Sequence, residues 1–193
     1  MNRPEPVSKP DATQTLDLAD SARIVDVLAR VMAAPLAEAD WAIDFLLAEM
    51  GAFGRVDRAY VFQRKPGDLL DNTHEWCADG IDPMMEMLQD QPLDIIAPWR
   101  EDFERGEMFH AASVAALPLE SQIRDLLEMQ QIQSIVLVPY QIDGTVCGFV
   151  GFDTVRQERH FSTETVQILS AMSGAIGTII ARARADQAMR ETR

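Results

Sequence analysis

The sequence predicts an α+β fold, in which an antiparallel sheet carries the terminal helices on one face and crossover segments on the other. Its elements follow in the order helix, helix, strand, strand, mixed crossover, helix, strand, strand and long helix. Each pair of consecutive strands is joined by a short turn, which favours hairpins and therefore antiparallel pairing. Helical periodicity at both ends of the chain favours a helical layer built from the two termini.

Composition and charge limit the classes of function. The chain has 193 residues, 31 Asp and Glu against 17 Lys and Arg, and a formal net charge of −14. This length predicts one domain with appendages, and the negative charge disfavours nucleic-acid and membrane-surface partners. No apolar run approaches the ~18 residues of a membrane span, and no signal-peptide pattern occurs. We therefore expect a cytoplasmic protein.

The two cysteines predict neither a disulfide nor a metal site. Cys77 and Cys147 lie too far apart for a CxxC motif, and a reducing compartment keeps both as thiols.

The N-terminal region predicts a tail followed by two helices. Residues 1–15 are polar and interrupted by prolines, which predicts a disordered tail. The next helix places Leu18, Val25 and Met32 seven residues apart, so that they share one apolar stripe. After Pro35, residues 36–50 have helical spacing, and we expect Gly51 and Gly54 to end this second helix.

A first hairpin is predicted from residue 56 to residue 78. Over residues 56–62 one set of side chains, Val56, Arg58, Tyr60 and Phe62, alternates with Asp57, Ala59 and Val61, which predicts a strand. Residues 65–68 have the composition of a turn, and residues 69–78 predict a second strand. Strict alternation in the second strand puts one set of side chains on a common face. That set is Leu70, Asn72, His74 and Trp76.

A long crossover and a second hairpin follow. Residues 79–118 are interrupted by Gly80, Pro83, Pro92, Pro98 and Gly106 around a short helical candidate at residues 99–105, and residues 118–130 predict a helix. Residues 134–142 and 145–153 are largely β-branched and apolar, as expected of buried strands. Asp143-Gly144 between them is typical of a two-residue type I′ turn.

The final helix is predicted to extend beyond the domain. It begins after Ser162 and spans about 28 residues, or about 42 Å, whereas a domain of this size is about 30–40 Å across. Its last part, from Ala181, is charged and suits a connector. Together with the first helix it predicts a helical spine on which two chains pair.

Two segments of this sequence resemble GAF domains of bacterial signalling proteins. The first contains Asp57-Arg-Ala-Tyr-Val-Phe62 and Asn72-Thr-His-Glu-Trp-Cys-Ala78, and the second runs from Ser134 to Asp153, followed by Phe161-Ser-Thr-Glu164 and the long helix. The resemblance implies a GAF/PAS-like sheet of about six strands, a pocket on the crossover side and a homodimer formed through the N- and C-terminal helices. It also implies that the last helix leads into a histidine kinase or a cyclic-di-GMP enzyme module. The expected domain is residues 16–185, with residues 186–193 as the end of the connector.

Five residues are candidate ligand contacts. His74 and Trp76 share a strand face and offer a hydrogen bond and a stacking plane. Trp99, Phe103 and His110 lie on the crossover that would roof the pocket implied by the resemblance. All five could equally fill the core, and neither a cofactor nor a ligand is identified by the sequence. No catalytic residue is assigned, because the chain contains none of the GxSxG, HExxH, P-loop and GxGxxG motifs.

Two alternatives to a non-enzymatic sensory domain remain open. One is a small thiol-based redox enzyme or redox sensor that uses Cys77, and the other is a pure dimerisation scaffold with a filled pocket. The GAF relatives that reduce methionine sulfoxide, and those that attach bilins, use crossover cysteines. This chain has no cysteine from Ala78 to Val146, which disfavours both activities.

Overall fold

The computed structural model describes residues 18–192, so the predicted tail at residues 1–15 lies outside the described part. The helices are α1 (Leu18–Ala33), α2 (Ala39–Gly54), α3 (Arg100–Glu104), α4 (Gln122–Met129) and α5 (Thr163–Glu191). The strands are β1 (Arg58–Lys65), β2 (Leu69–Cys77), β3 (Gln91–Pro92), β4 (Phe109–Ala111), β5 (Ser134–Ile142) and β6 (Thr145–Thr154).

The strands form one six-stranded sheet in the order β3-β2-β1-β6-β5-β4. All neighbours are antiparallel, and β1 pairs with β6 to join the two predicted hairpins, with Val61 opposite Val150. Asp143 and Gly144 both have positive φ angles, 51° and 77°, as a type I′ turn requires. The predicted α+β class and the two hairpins are confirmed.

One face of the sheet packs against α2 and α5, and α1 packs on these two helices. The core on this face combines sheet residues with the inward faces of the three helices. On α5, Ser162 caps the helix by accepting a hydrogen bond from the Thr165 amide at 3.1 Å. The inner side of α5 carries the buried residues Leu169, Met172, Ile176, Ile179 and Ile180.

Within residues 18–192, α5 is long and apolar enough to cross a membrane by length and composition alone, with a mean hydropathy of 1.3 over its most apolar window. The buried residues of α5 belong to the core cluster that also contains Leu47 of α2 and Val136 of β5. Its apolar side chains therefore already contribute to the core of this fold.

Helix α2 does not end at Gly51. It continues to Gly54, and Arg55 follows with a φ angle of 49°. The predicted stop at Gly51 is wrong because this glycine provides space for a side chain of the sheet. A β-carbon at this position would lie 2.2 Å from the ring of Trp76.

The opposite face of the sheet is covered by the crossover and α4. Short helical turns at residues 85–87, 93–99 and 114–116 lie in the chain between β2 and α4, and the edge strands β3 and β4 lie between them. Their apolar residues form a second core with the sheet, which includes Leu88, Leu93, Ile96, Trp99, Phe103 and Ile123.

Strand β2 contains a bulge that changes which side chains face the crossover. Val61 pairs with His74, but the next residue, Phe62, pairs with Asn72, so Thr73 is an extra residue in the ladder. An extra residue reverses the alternation of all side chains beyond it. As a result, Leu70, Asn72 and Glu75 face the crossover, whereas Trp76 packs against the helices. The predicted common face of four residues is wrong for this reason.

Candidate functional site

The candidate site is a small cavity between the sheet and the crossover. Its floor is formed by residues of β1, β2, β5 and β6, and its roof by the segment 88–96 together with α4. The volume is about 50 Å³, which accommodates a few water molecules but is well below the roughly 300 Å³ of typical ligand pockets. Its lining is mainly apolar and includes Phe62, Leu70, Leu88, Ile95, Ile96, Leu137 and Phe149.

Asn72 is the unusual polar residue of this cavity. Its exposure is 2%, and neither its side-chain nitrogen nor its side-chain oxygen has a hydrogen-bond partner. Its backbone is fully engaged, because its amide donates to Leu88 O at 3.0 Å and its carbonyl accepts from Gln89 Nε2 at 2.7 Å. The backbone of Asn72 therefore holds the roof on the sheet, while the carboxamide lines the cavity.

Glu75 provides a second attachment of the roof. Its carboxylate accepts hydrogen bonds from the backbone amides of Met84 and Met85, both at 2.9 Å. Carboxylates that accept backbone N–H groups form strong, charge-assisted hydrogen bonds. The crossover is therefore fastened to β2 at two points on either side of the bulge.

An exposed ion-pair network joins the turn between β1 and β2 to α3. Asp68 binds Arg64 at 2.6 Å and Arg100 at 3.0 Å, and these hydrogen bonds, more than the charges themselves, lower the pKa of Asp68. Arg64 also contacts Glu104 on α3 at 3.1 Å. Exposed ion pairs of this kind contribute little to the free energy of unfolding, so we do not expect the network to hold the crossover in place.

Trp99 and Phe103, two of the predicted contacts, lie side by side on the crossover. Their ring centroids are 5.3 Å apart, and Phe149 of the cavity lining lies 6.0 Å from Trp99 and 6.2 Å from Phe103. Both side chains are buried, and the indole nitrogen of Trp99 has no hydrogen-bond partner. Both belong to the second core, and neither is among the residues that line the cavity.

His74 and Trp76 lie on the other face of the sheet. His74 Nε2 is 3.2 Å from Asp40 Oδ1 on α2, and Trp76 packs against Gly51 on the same helix. The bulge at Thr73 turns both side chains away from the crossover. The structure therefore does not bring them together with Trp99 and Phe103.

His110 is on the edge strand β4 and is also outside the cavity lining. Its ring lies 6.1 Å from that of His160 and 6.0 Å from that of Phe161. Partial burial and the neighbouring imidazole lower its pKa. Among residues 18–192, no three His, Cys, Asp or Glu side chains are grouped in a way that could hold a metal ion.

A buried ion pair near the cavity was missed by the sequence analysis. Arg58 and Asp153 are 1% and 0% exposed, face each other across β1 and β6, and approach to 3.2 Å. Arg58 also donates to Gln130 O at 2.8 Å, which ties the sheet to the end of α4. Burial raises the pKa of Asp153 to about 7, although Arg58 opposes this shift. Arg58, Tyr60 and Phe62 occupy every second position of β1 and therefore share one face of the strand. This spacing was the signal in the sequence that Arg58 points inward with the two aromatic side chains.

Cys77 does not have the properties of a reactive thiol. Burial raises its pKa to about 11, and the nearby carboxylate of Glu75 adds to this effect. Nucleophilic cysteines have lowered pKa values, because the thiolate is the reactive form. The geometry around Cys77 therefore disfavours the redox alternative.

Comparisons with known proteins agree with the fold described above. A family model described as "GAF domain" matches residues 41–180, well over half of the chain. The chain belongs to the GAF domain family. The matched range begins in α2 and ends within α5, so it includes the whole sheet and the crossover.

A curated relative of this chain is a regulatory histidine kinase. The methanogenesis regulatory histidine kinase FilI of Methanothrix harundinacea (strain 6Ac) is 31% identical over 145 residues, which is 72% of this chain. The matched part is 16% of that relative, so this GAF domain spans only a small part of its length.

Solved structures share the fold at low identity. The blue-light-absorbing PixJ GAF domain of Thermosynechococcus elongatus has a TM-score of 0.68 and 14% identity, covering 81% of this chain and 93% of that one. The bacteriophytochrome RpBphP3 of R. palustris has a TM-score of 0.75 and 14% identity, covering 93% and 40%. These likenesses support the GAF fold alone.

Biliverdin does not fit the cavity of this GAF domain. A neighbour with bound biliverdin, JSC1_58120g3, has a TM-score of 0.71 and 15% identity, covering 83% of this chain and 98% of that one. A tetrapyrrole needs a far larger space than the cavity volume of about 50 Å³.

Proposed function

We propose that this GAF domain is a non-enzymatic, cytoplasmic sensory module that pairs with a second copy through α1 and α5. In this proposal, the occupancy of the crossover cavity is communicated through the sheet to α5, and from there to an attached histidine kinase or cyclic-di-GMP enzyme module. The observation that carries the proposal is an exposed, uncharged face on α1.

This α1 face consists of apolar and small side chains. Leu18, Val25 and Met32 are 90%, 66% and 37% exposed and recur every seven residues, as at a helix–helix interface. Ala22 and Ala29 are exposed between them. At 100° per residue, the charged Arg23, Asp26 and Arg30 fall on a different side of the helix. An exposed apolar stripe of this kind on a helix is typical of an interaction surface.

Helix α5 offers a second exposed face for pairing and provides the output. It packs beside α1, where Arg182 donates to Met32 O at 3.0 Å. Its outward positions Gln167, Ala171, Gly174 and Thr178 are exposed and uncharged. A regulatory histidine kinase among the relatives supports an output of this kind.

The sheet offers a direct mechanical connection between the cavity and the helices. Tyr60 and Phe62 of β1 belong to the core on the cavity side, and Ala59 and Val61 of the same strand belong to the core on the helix side. A shift of this strand therefore changes both layers, because side chains of one strand alternate between its faces. Packed layers respond to such a shift by moving between discrete arrangements.

The test is the oligomeric state, measured by light scattering after size-exclusion chromatography. The chain is expected to run as a dimer of twice its 21.5 kDa mass, and Val25→Glu is expected to be monomeric because a charge on the apolar stripe opposes burial. Ala19→Glu is the matched control, since Ala19 is exposed on α1 next to the charged side. A monomeric wild-type chain, or a Val25→Glu variant that remains dimeric, contradicts the proposal.

A dimerisation scaffold with a filled cavity is the second candidate. The small volume of the cavity, about 50 Å³, favours it, because the side chains of the second core already occupy most of the space. Both candidates predict the same dimer. They differ in whether the cavity accepts a ligand.

A further inference from the structure

The cavity combines apolar walls with one buried polar side chain that has no partner. The Asn72 carboxamide lines the cavity, is 2% exposed and leaves both of its polar atoms unpaired. Burying an unpaired amide is unfavourable, and nearly all buried polar groups in native proteins are hydrogen-bonded. The position of Asn72 therefore indicates an occupant that forms hydrogen bonds with it.

The chemistry of that occupant follows from the groups around it. A carboxamide has an acceptor oxygen beside an NH₂ donor, so its complement presents a donor and an acceptor side by side. Among the described residues that line the cavity none is cationic, and the Glu75 carboxylate lies at its edge. An anion would therefore be buried without a countercharge. A cation would have to compete for Glu75 with the backbone amides of Met84 and Met85.

We propose that the cavity binds a compact, uncharged, mainly apolar molecule with an amide or lactam edge, which is recognised by the side chain of Asn72. This inference rests on the proposed sensory function and deepens it. Because the cavity is about 50 Å³, such a molecule enters only when the roof at Leu88, Ile95 and Ile96 moves away from the sheet. That movement is the conformational change that the ligand would stabilise.

The experiment compares three probes of nearly the same shape on the full chain. Benzamide carries the uncharged amide edge, benzoate replaces it with a charged carboxylate, and toluene has no hydrogen-bonding group. Binding is measured by isothermal titration calorimetry and by the shift in Tm. The variants are Asn72→Leu, which makes the cavity wholly apolar at this position, and Gln133→Leu as the control. Gln133 carries the same carboxamide group outside the cavity lining, and its side-chain nitrogen donates to Gln131 O at 3.5 Å.

The wild-type chain is expected to bind benzamide at least tenfold more tightly than benzoate or toluene. In Asn72→Leu, benzamide affinity is expected to fall about tenfold to a hundredfold, and toluene is expected to become the preferred probe. Gln133→Leu is expected to keep the wild-type preference. Without any probe, Asn72→Leu is expected to have a higher Tm than the wild type, because the unpaired amide is removed.

Three results would overturn the inference. They are equal wild-type affinity for benzamide and toluene, no binding of any probe at millimolar concentration, and a lower Tm of Asn72→Leu, which would mean that ordered water satisfies the amide. The first two use only the wild-type chain and do not depend on how well the variant folds. The light-scattering measurement separates this inference from the proposed function. Loss of probe selectivity with an intact dimer overturns amide recognition alone, whereas a monomer that binds benzamide overturns the dimeric mechanism alone.

Discussion

Replacing Gly51 by alanine should destabilise the protein by about 1–3 kcal/mol, because α2 meets Trp76 here without space for a methyl group. A β-carbon on Gly51 would lie 2.2 Å from Trp76 Cζ3 and 2.4 Å from Cε3. Carbon atoms in favourable contact are about 3.5 Å apart. The indole ring must therefore retreat by about 1.3 Å, the difference between 3.5 and 2.2 Å, or swing toward solvent.

The assay for this prediction is urea unfolding with linear extrapolation, together with thermal melting. For a chain of this size, each kcal/mol corresponds to about 2–4 °C in Tm. Gly54→Ala is the matched control on the same helix. Its β-carbon would meet Val56 at 3.4 Å and Leu169 at 3.5 Å, which are ordinary contacts. The control is expected to be nearly neutral or slightly stabilising, since alanine favours helix more than glycine does.

A double-mutant cycle with Trp76→Leu identifies the cause of the effect. If the clash with the ring is responsible, the penalty of Gly51→Ala should largely disappear when the ring is absent, giving a coupling energy of about 1 kcal/mol or more. Additive effects, or a Gly51→Ala variant as stable as Gly54→Ala, would refute the packing of Trp76 on α2. The assignment of His74 and Trp76 to the helix side of the sheet would then fail as well.

Two further predictions concern the titratable groups near the cavity. Cys77 should react slowly with iodoacetamide at neutral pH and faster as the pH approaches its raised pKa of about 11; a rate that is already maximal near pH 7 would restore the redox alternative. Asp153 should reduce stability as the pH rises from about 4 to about 7, because the folded state keeps its proton up to about pH 7 while the unfolded carboxyl ionises near its ordinary pKa of 3.8. The folded state binds more protons in this window, so this contribution to the unfolding free energy falls with pH. Urea unfolding across the window should show a more negative pH slope for the wild type than for Asp153→Asn, and equal slopes would contradict the assignment.

Sensing by this GAF domain would depend on the attachments of its roof. A ligand has to displace the segment that Asn72 and Glu75 hold by their hydrogen bonds to Leu88, Met84 and Met85. The measured affinity is then the affinity of the open form multiplied by the fraction of molecules in which the roof is open. A smaller open fraction therefore gives weaker binding. Weakening the attachment at Glu75 should therefore raise ligand affinity, as long as the cavity lining is intact.

The features that the sequence predicted well are local ones. Asp143-Gly144 predicts a type I′ turn because this turn requires positive φ angles at both central residues, which Asp and Gly tolerate. Both residues have positive φ angles in the structure. Ser162 predicts the start of α5 because its hydroxyl caps a helix that begins there. Such features depend on neighbours within a few residues, so composition and spacing are sufficient to predict them.

The side of the sheet on which the cavity lies was predicted, but its lining was not. The resemblance to GAF domains implied a pocket on the crossover side, whereas none of the five predicted contacts is among the residues that line the cavity. These five are His74, Trp76, Trp99, Phe103 and His110. Strict alternation gave Asn72 and His74 the same face, and a single extra residue at Thr73 separated them. Nothing in the sequence around Thr73 marks the bulge, because it is set by how β2 pairs with β1.

The sequence by itself therefore determined the order of elements, the two hairpins, the capped final helix and the heptad stripe of α1, all of which follow from local geometry and side-chain periodicity. Only the tertiary structure decided the register of β2, the partnership of Arg58 with Asp153 across 95 residues of chain, and the space that Gly51 leaves for Trp76. These depend on contacts between segments that are distant in sequence. The physical reason is that a shift of one residue in strand pairing exchanges the two faces of a strand without changing its composition or its period.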